Sequence, residues 1–212
     1  MLEPFNLGDC LMKARILFIE PVLGTLAGDP EIAKEFILSK HPEGISNDEV
    51  EALTSDEALA KACTVFPRIN GQPFIWDYQW KGFFKEAFLA FTMSDRYTQD
   101  SLKKVRLTKY LLKRTVDLMI FIKPRRAILD LNGGAVTWCE RPLVGQTMRG
   151  ERISLARSEE LPEGTTCEIE ISTMNQNLWP YIRDALDYGE LKGMLQWRNS
   201  GKGRFVWEKV DE

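Results

Sequence analysis

Between residues 80 and 91 the large apolar side chains Trp80, Phe83, Phe84, Ala87, Phe88 and Phe91 recur at i, i+3, i+4, i+7, i+8 and i+11. That spacing predicts a helix with one continuous core-facing stripe. Shorter patterns flank it. Residues 12–20 alternate weakly and are rich in β-formers, which predicts a strand. Residues 65–69 and 73–76 flank Asn70-Gly71, a hairpin signal. Residues 116–122 read as a strand, and residues 127–131 and 135–139 read as a second hairpin around Asn132-Gly133-Gly134. A loop over 141–149 leads to a strand over 151–156, and Pro162-Glu163-Gly164 turns into a strand over 166–172. A last helix starts at Asn177, with Leu178, Ile182, Ala185, Leu186 and Gly189 on one side and Pro180 in its first turn, where a missing N–H is harmless. The chain closes on a strand over 205–210. Helical stretches are also expected over 29–40, capped by Asp29 with Pro30 behind it, over 47–62, and in a basic amphipathic segment over 99–114. Strands and helices in this mixed order predict an α+β fold with a mainly antiparallel sheet.

Composition narrows the function classes. The 212 residues are 44% hydrophobic and 28% charged, enough apolar material for one full-sized domain or two small ones. No run of 18 apolar residues exists, so no membrane partner is expected. Residues 1–11 lack a basic start followed by an apolar stretch, so no signal peptide is expected, and Met12 reads as a natural beginning. Cysteines at 10, 63, 139 and 167 show no CxxC spacing, and His41 is the single histidine. Reduced thiols, a cytoplasmic location, no metal and no cofactor are the expectation. The net charge of −3 conceals a strong separation. Residues 28–60 carry nine acidic side chains against two lysines, and residues 101–126 carry nine basic ones against Asp117.

The segment from Arg198 to Arg204 concentrates candidate chemistry: Arg198, Lys202 and Arg204 around Ser200, Gly201 and Gly203. Glycines let backbone approach a phosphate closely, successive amides can form an anion nest, and the cations would add charge-assisted bonds. The segment matches neither a Walker loop nor a dinucleotide fingerprint. Two further segments accompany it in order. The first strand runs into Pro21-Val22-Leu23-Gly24, and Pro73-Phe74-Ile75-Trp76 enters a helix through Lys81-Gly82.

Taken together, these three places resemble the repeat-associated mysterious protein (RAMP) superfamily, the ferredoxin-like backbone subunits of type I and type III CRISPR effector complexes. Pro73, Ile75, Lys81 and Gly82, and later Ser200, Gly201, Gly203 and Arg204, match the family's segments. Trp76-Asp77-Tyr78-Gln79 departs from its P-G-S-S, and Lys85 stands where arginine is usual. The resemblance implies a ferredoxin-like, RRM-like antiparallel sheet with helices on one face. It implies one domain over 12–212 with an acidic helical insertion over 28–63 and a basic helix-plus-hairpin elaboration over 97–150. It implies a non-enzymatic protein that grips single-stranded RNA with Lys81, Arg198, Ser200, Gly201, Lys202, Gly203 and Arg204, within a ribonucleoprotein whose other subunits are protein partners. Trp76, Tyr78 and Trp197 are candidate platforms for bases. Two other readings stay open. The acidic segment 28–60 suits a phage or prophage interaction protein, anti-CRISPR-like, that mimics RNA against such a complex. An endoribonuclease is the other, with Asp29 as its candidate catalytic group; one histidine cannot supply both acid and base. Asp184 and Asp187 read as a solvated pair without a cationic supplement.

Overall fold

A computed structural model describes residues 11–27, 63–147 and 150–210. In chain order the elements are β1 (Leu11–Phe18), β2 (Val22–Leu23), β3 (Leu26–Ala27), β4 (Cys63–Val65), β5 (Arg68–Ile69), β6 (Gln72–Trp76), α1 (Asp77–Met93), α2 (Gln99–Lys104), α3 (Leu112–Met119), β7 (Ile120–Lys123), β8 (Arg126–Ile128), β9 (Thr137–Thr147), β10 (Gly150–Leu161), β11 (Thr166–Thr173), α4 (Trp179–Lys192) and β12 (Phe205–Val210). The acidic segment, with Asp29 and His41, lies outside the described residues.

The central sheet has the order β12-β1-β11-β7, with every neighbouring pair antiparallel. Helix α1 carries the chain from β1 to β7, and α4 carries it from β11 to β12. That is the βαββαβ order of a ferredoxin-like fold. Period-2 alternation decides which face of β1 is covered: Met12, Ala14, Ile16 and Phe18 are buried, while Lys13, Arg15 and Leu17 point to the open face. The α1 stripe supplies the other side of the core, with Trp80, Phe83, Phe84, Ala87, Phe88 and Phe91 all buried. Helix α1 starts where Gln79 Oε1 accepts from the Trp76 N–H at 2.9 Å. Two smaller sheets, β2-β10-β4-β3 with β9 beside β10 and β5-β6-β8, flank the central one; β4 and β10 form the single parallel pair among the described residues. At their junction the buried Glu159 accepts from Phe66 N at 2.7 Å and pairs with Arg68.

Several sequence expectations hold closely. Asn70 and Gly71 both have positive φ, 50° and 78°, and close the β5–β6 hairpin as expected. Others are corrected. The expected strand over 116–122 is helical as far as Met119, because Leu112, Thr115 and Val116 repeat at helical spacing and pack inward; only residues 120–123 form a strand. That strand, β7, is one of the two outer members of the central sheet. The basic segment 99–114 is two short helices, with Arg106 at φ 59° between them. The expected hairpin around Asn132-Gly133 has a real turn, φ 50° and 82°, but its legs diverge. β8 pairs with β6, and β9 pairs with β10 in an eleven-residue antiparallel ladder that absorbs residues 141–147 of the expected loop.

Asp184 and Asp187 are also corrected. Asp184 accepts from Arg96 Nε at 2.6 Å and from the Tyr97 hydroxyl, and Asp187 accepts from Trp207 Nε1 at 2.8 Å. These bonds clamp α4 to the turn after α1 and to β12. The Arg96 hydrogen bond holds the Asp184 carboxyl below its ordinary range, while burial, ahead of the Asp184 bond, pushes the Tyr97 hydroxyl up to about 12. A carboxylate with a depressed folded value stabilises above its unfolded value, and that contribution disappears as pH falls through the folded value. Asp184→Asn is therefore expected to cost about 1–2 kcal/mol at pH 7. The deficit against wild type should shrink below about pH 4, the unfolded carboxylate range. Urea melts across that range check it; a deficit that stays constant with pH contradicts the clamp.

Candidate nucleic-acid interface

The three segments singled out in the sequence converge on one ring. Phe205, at the start of β12, packs edge-on to Phe18 and Trp80, with centroids at 5.9 and 5.7 Å, and lies against Phe83 at 5.2 Å. Gly189 on α4 makes room for it, since a Cβ there would overlap the Phe205 ring. The same neighbourhood closes the loop 193–204. Met194 N donates to Gly203 O, Gly203 N to Pro21 O and Ile19 N to Arg204 O, each at 2.9 Å. Gly193 and Gly203 have φ of 73° and 70°; a Cβ on Gly193 would sit 2.6 Å from Lys202 O, and one on Gly203 would overlap the Met194 carbonyl. The approach these two glycines permit is between the two legs of the loop itself. Gly203 is buried, and Gly201, at φ 88°, faces open space.

The loop's cations have defined partners. Arg198 pairs with Glu86 on α1, which Lys192 also approaches at 3.9 Å. Lys202 pairs with Glu160 on β10 at 2.8 Å. Arg204 Nε donates to the Glu190 carbonyl at 2.6 Å. A fifth cation, Arg141 on β9, stands over the Trp197 ring at 4.9 Å and donates through Nη2 to Gln196 Oε1 at 3.0 Å. Its Nε and Nη1 are buried without a hydrogen-bond partner among the described residues. Of the five cations, three share two carboxylates, while Arg141 and Arg204 rest on uncharged acceptors. Among these paired side chains the cations outnumber the carboxylates, and Trp197 is exposed beside them at φ 56°.

Lys81 does not join this group. It faces α3 and β7, donating to Asp117 O at 3.4 Å and lying 5.4 Å over the Phe121 ring. Trp76 is buried, stacked on the half-buried Tyr78 at 6.0 Å, so it offers no platform. Ser200 is exposed at the tip. Sequence reasoning missed Arg141 because it fell in an expected loop; no periodicity marks it, since its role depends on a ring far along the chain.

The open face of the central sheet has a different character. A cleft of about 810 Å³ there presents Lys13 and Arg15 against Asp130, Glu168 and Glu170. Arg15 is held by Glu168 at 2.8 Å and Glu208 at 3.3 Å, and the Glu168 hydrogen bond raises its pKa. Its charges are internally balanced toward negative, which disfavours a phosphate backbone. Cys63, Cys139 and Cys167 are free thiols, each pushed up in pKa chiefly by burial, so none is a thiolate nucleophile near neutrality. Among the described residues no helix is long and apolar enough to cross a membrane, and no group of three or more His, Cys, Asp or Glu is arranged to hold a metal ion.

No family model and no curated protein matches the sequence. Solved structures resemble the fold. One is the cryo-EM structure of the type III-B Cmr-beta bound to cognate target RNA, at 9% identity and TM-score 0.45 over 95% of this chain. The chain spans 59% of that one's length. Another is the crystal structure of Cmr6 from Pyrococcus furiosus, at 9% identity and TM-score 0.48, covering 94% of this chain and 98% of that one. The ferredoxin-like assignment rests on the strand order itself.

The loop geometry separates its glycines. Gly201→Ala should cost about 1 kcal/mol, the price of a left-handed backbone alone. Gly203→Ala adds a backbone overlap and should cost about 1–3 kcal/mol more. Urea midpoints of the two variants measure this; equal losses contradict a loop closed on itself.

Proposed function

We propose that this chain is a non-enzymatic single-stranded RNA-binding protein of RAMP type, holding the phosphate backbone along the loop 193–204 and working within a CRISPR-type ribonucleoprotein. The observation that carries this reading is Arg141, set over an exposed Trp197 with two buried guanidinium donors unpartnered. A buried donor without an acceptor is costly, and a phosphate oxygen entering beside it would relieve that cost with a charge-assisted bond. The indole supplies a face on which a base can stack, with little sequence preference. Arg204, tied only to a carbonyl, is the second free charge. Arg198 and Lys202 contribute less, because each would have to leave a carboxylate to meet a phosphate. Lys81 lies apart, held against α3 and β7.

The expected behaviour follows from counterion release. Arg141→Ala with Arg204→Ala should weaken binding of a labelled oligouridine and flatten its salt dependence by about 0.7 in log–log slope for each phosphate no longer neutralised. The weakening should be similar across RNA sequences, because backbone contacts carry no base code. Lys202→Ala is a poorer probe, since it strands Glu160. Fluorescence anisotropy at several salt concentrations is the measurement. Absence of RNA binding by the wild type at low salt, or wild-type binding by the double variant, overturns the reading.

A further inference from the structure

Away from the loop, α2 and α3 enclose a cleft of about 500 Å³. Its floor is aliphatic: Val105, Leu111, Leu118 and Met119 line it, and Leu111 and Leu118 are 44% and 53% exposed. Its rim is basic, formed by Lys104, Arg106 and Arg114. Lys109 and Lys113 belong to the same stretch and are exposed. The contrast with the loop is in how these charges are treated. Lys103 has Asp100 at 3.2 Å, but no carboxylate stands within 4.0 Å of Lys104, Arg106, Lys109, Lys113 or Arg114 among the described residues. A cluster of unpaired like charges repels itself and costs stability, and here it surrounds apolar surface that water also disfavours.

We infer that this cleft is a docking site for an acidic amphipathic segment of a partner protein, distinct from the RNA-binding loop. Both features point to that one occupant. Leucine-type side chains would cover Leu111 and Leu118, and carboxylates beside them would neutralise the rim. Leu111 and Leu118 are two helical turns apart, about 10 Å, so about two turns of a partner helix fit between them. Nucleic acid suits the site less well. Its floor holds no aromatic ring on which a base could stack, and Tyr110, 91% exposed, is not among its walls. The shape of the cleft therefore favours a segment that delivers methyl groups and carboxylates from one face.

The test uses the whole chain and a fluorescein-labelled 14-residue helical peptide with leucines at i, i+4, i+7 and i+11 and glutamates flanking them. Anisotropy should show saturable micromolar binding. Lys104→Gln with Arg114→Gln should weaken it at least tenfold, as should Leu118→Ser alone. Both variants alter exposed side chains, so melting temperatures should stay near wild type. RNA binding through the loop should be unchanged in both. No peptide binding overturns the inference. So does equal binding of a peptide whose leucines are replaced by serine, which reports charge alone. Loss of oligouridine binding in the Lys104/Arg114 variant also overturns it, because the cleft is then part of the RNA path.

Discussion

The fold and the candidate interface both hang on the packing of Phe205. Its ring meets β1 at Phe18, α1 at Trp80 and Phe83, and α4 at Gly189, so four elements of the ferredoxin-like core share one contact. The ring cannot seat itself unless residue 189 lacks a side chain. Once it is seated, the chain before it must pass close to Met194 and Pro21, and glycine at 193 and 203 permits that passage. The loop is thus a consequence of core packing, tied by backbone hydrogen bonds to the end of β1, and its exposed residues are presented from that frame. Preorganisation of this kind lets a shallow basic surface bind without first ordering itself.

Charge sorting distinguishes the molecule's surfaces more sharply than charge content does. On the open sheet face, Arg15 is consumed by Glu168 and Glu208. Around the loop, Glu86 and Glu160 neutralise part of the positive charge and also hold the loop against α1 and β10. What is left over, Arg141 and Arg204, is small but well placed. Between α2 and α3 nearly all the positive charge is left without a carboxylate among the described residues, and it borders aliphatic surface. The two basic surfaces therefore differ in the chemistry beside the charge, an indole in one and leucines in the other, and that difference is the reason different partners are proposed for them.

Much of the fold was legible in the chain. The α1 stripe, the Asn70-Gly71 turn, the Pro180 helix start and the final strand depend on near neighbours, and local patterns report them. Residues 116–122 misled because a mainly apolar stretch of this length suits a strand or a buried helix turn, and only packing of Leu112 and Val116 decides. The β9–β10 ladder was invisible for a related reason: Asn132-Gly133 makes a genuine turn, yet the strand after it finds a partner far from the strand before it. At the interface, the glycines were legible as special but not as self-filling. Arg141 carried no local signal, since its meaning comes from Trp197 and Gln196 across the fold.

Photochemical cross-linking of 4-thiouridine RNA to the intact chain, with the modified peptides mapped by mass spectrometry, tests the central claim most directly. The account places the adducts in the peptides that contain Arg141 and the loop 193–204, with Trp197 foremost. Adducts confined to residues 99–119, or none at all under conditions where the RNA is bound, would contradict it.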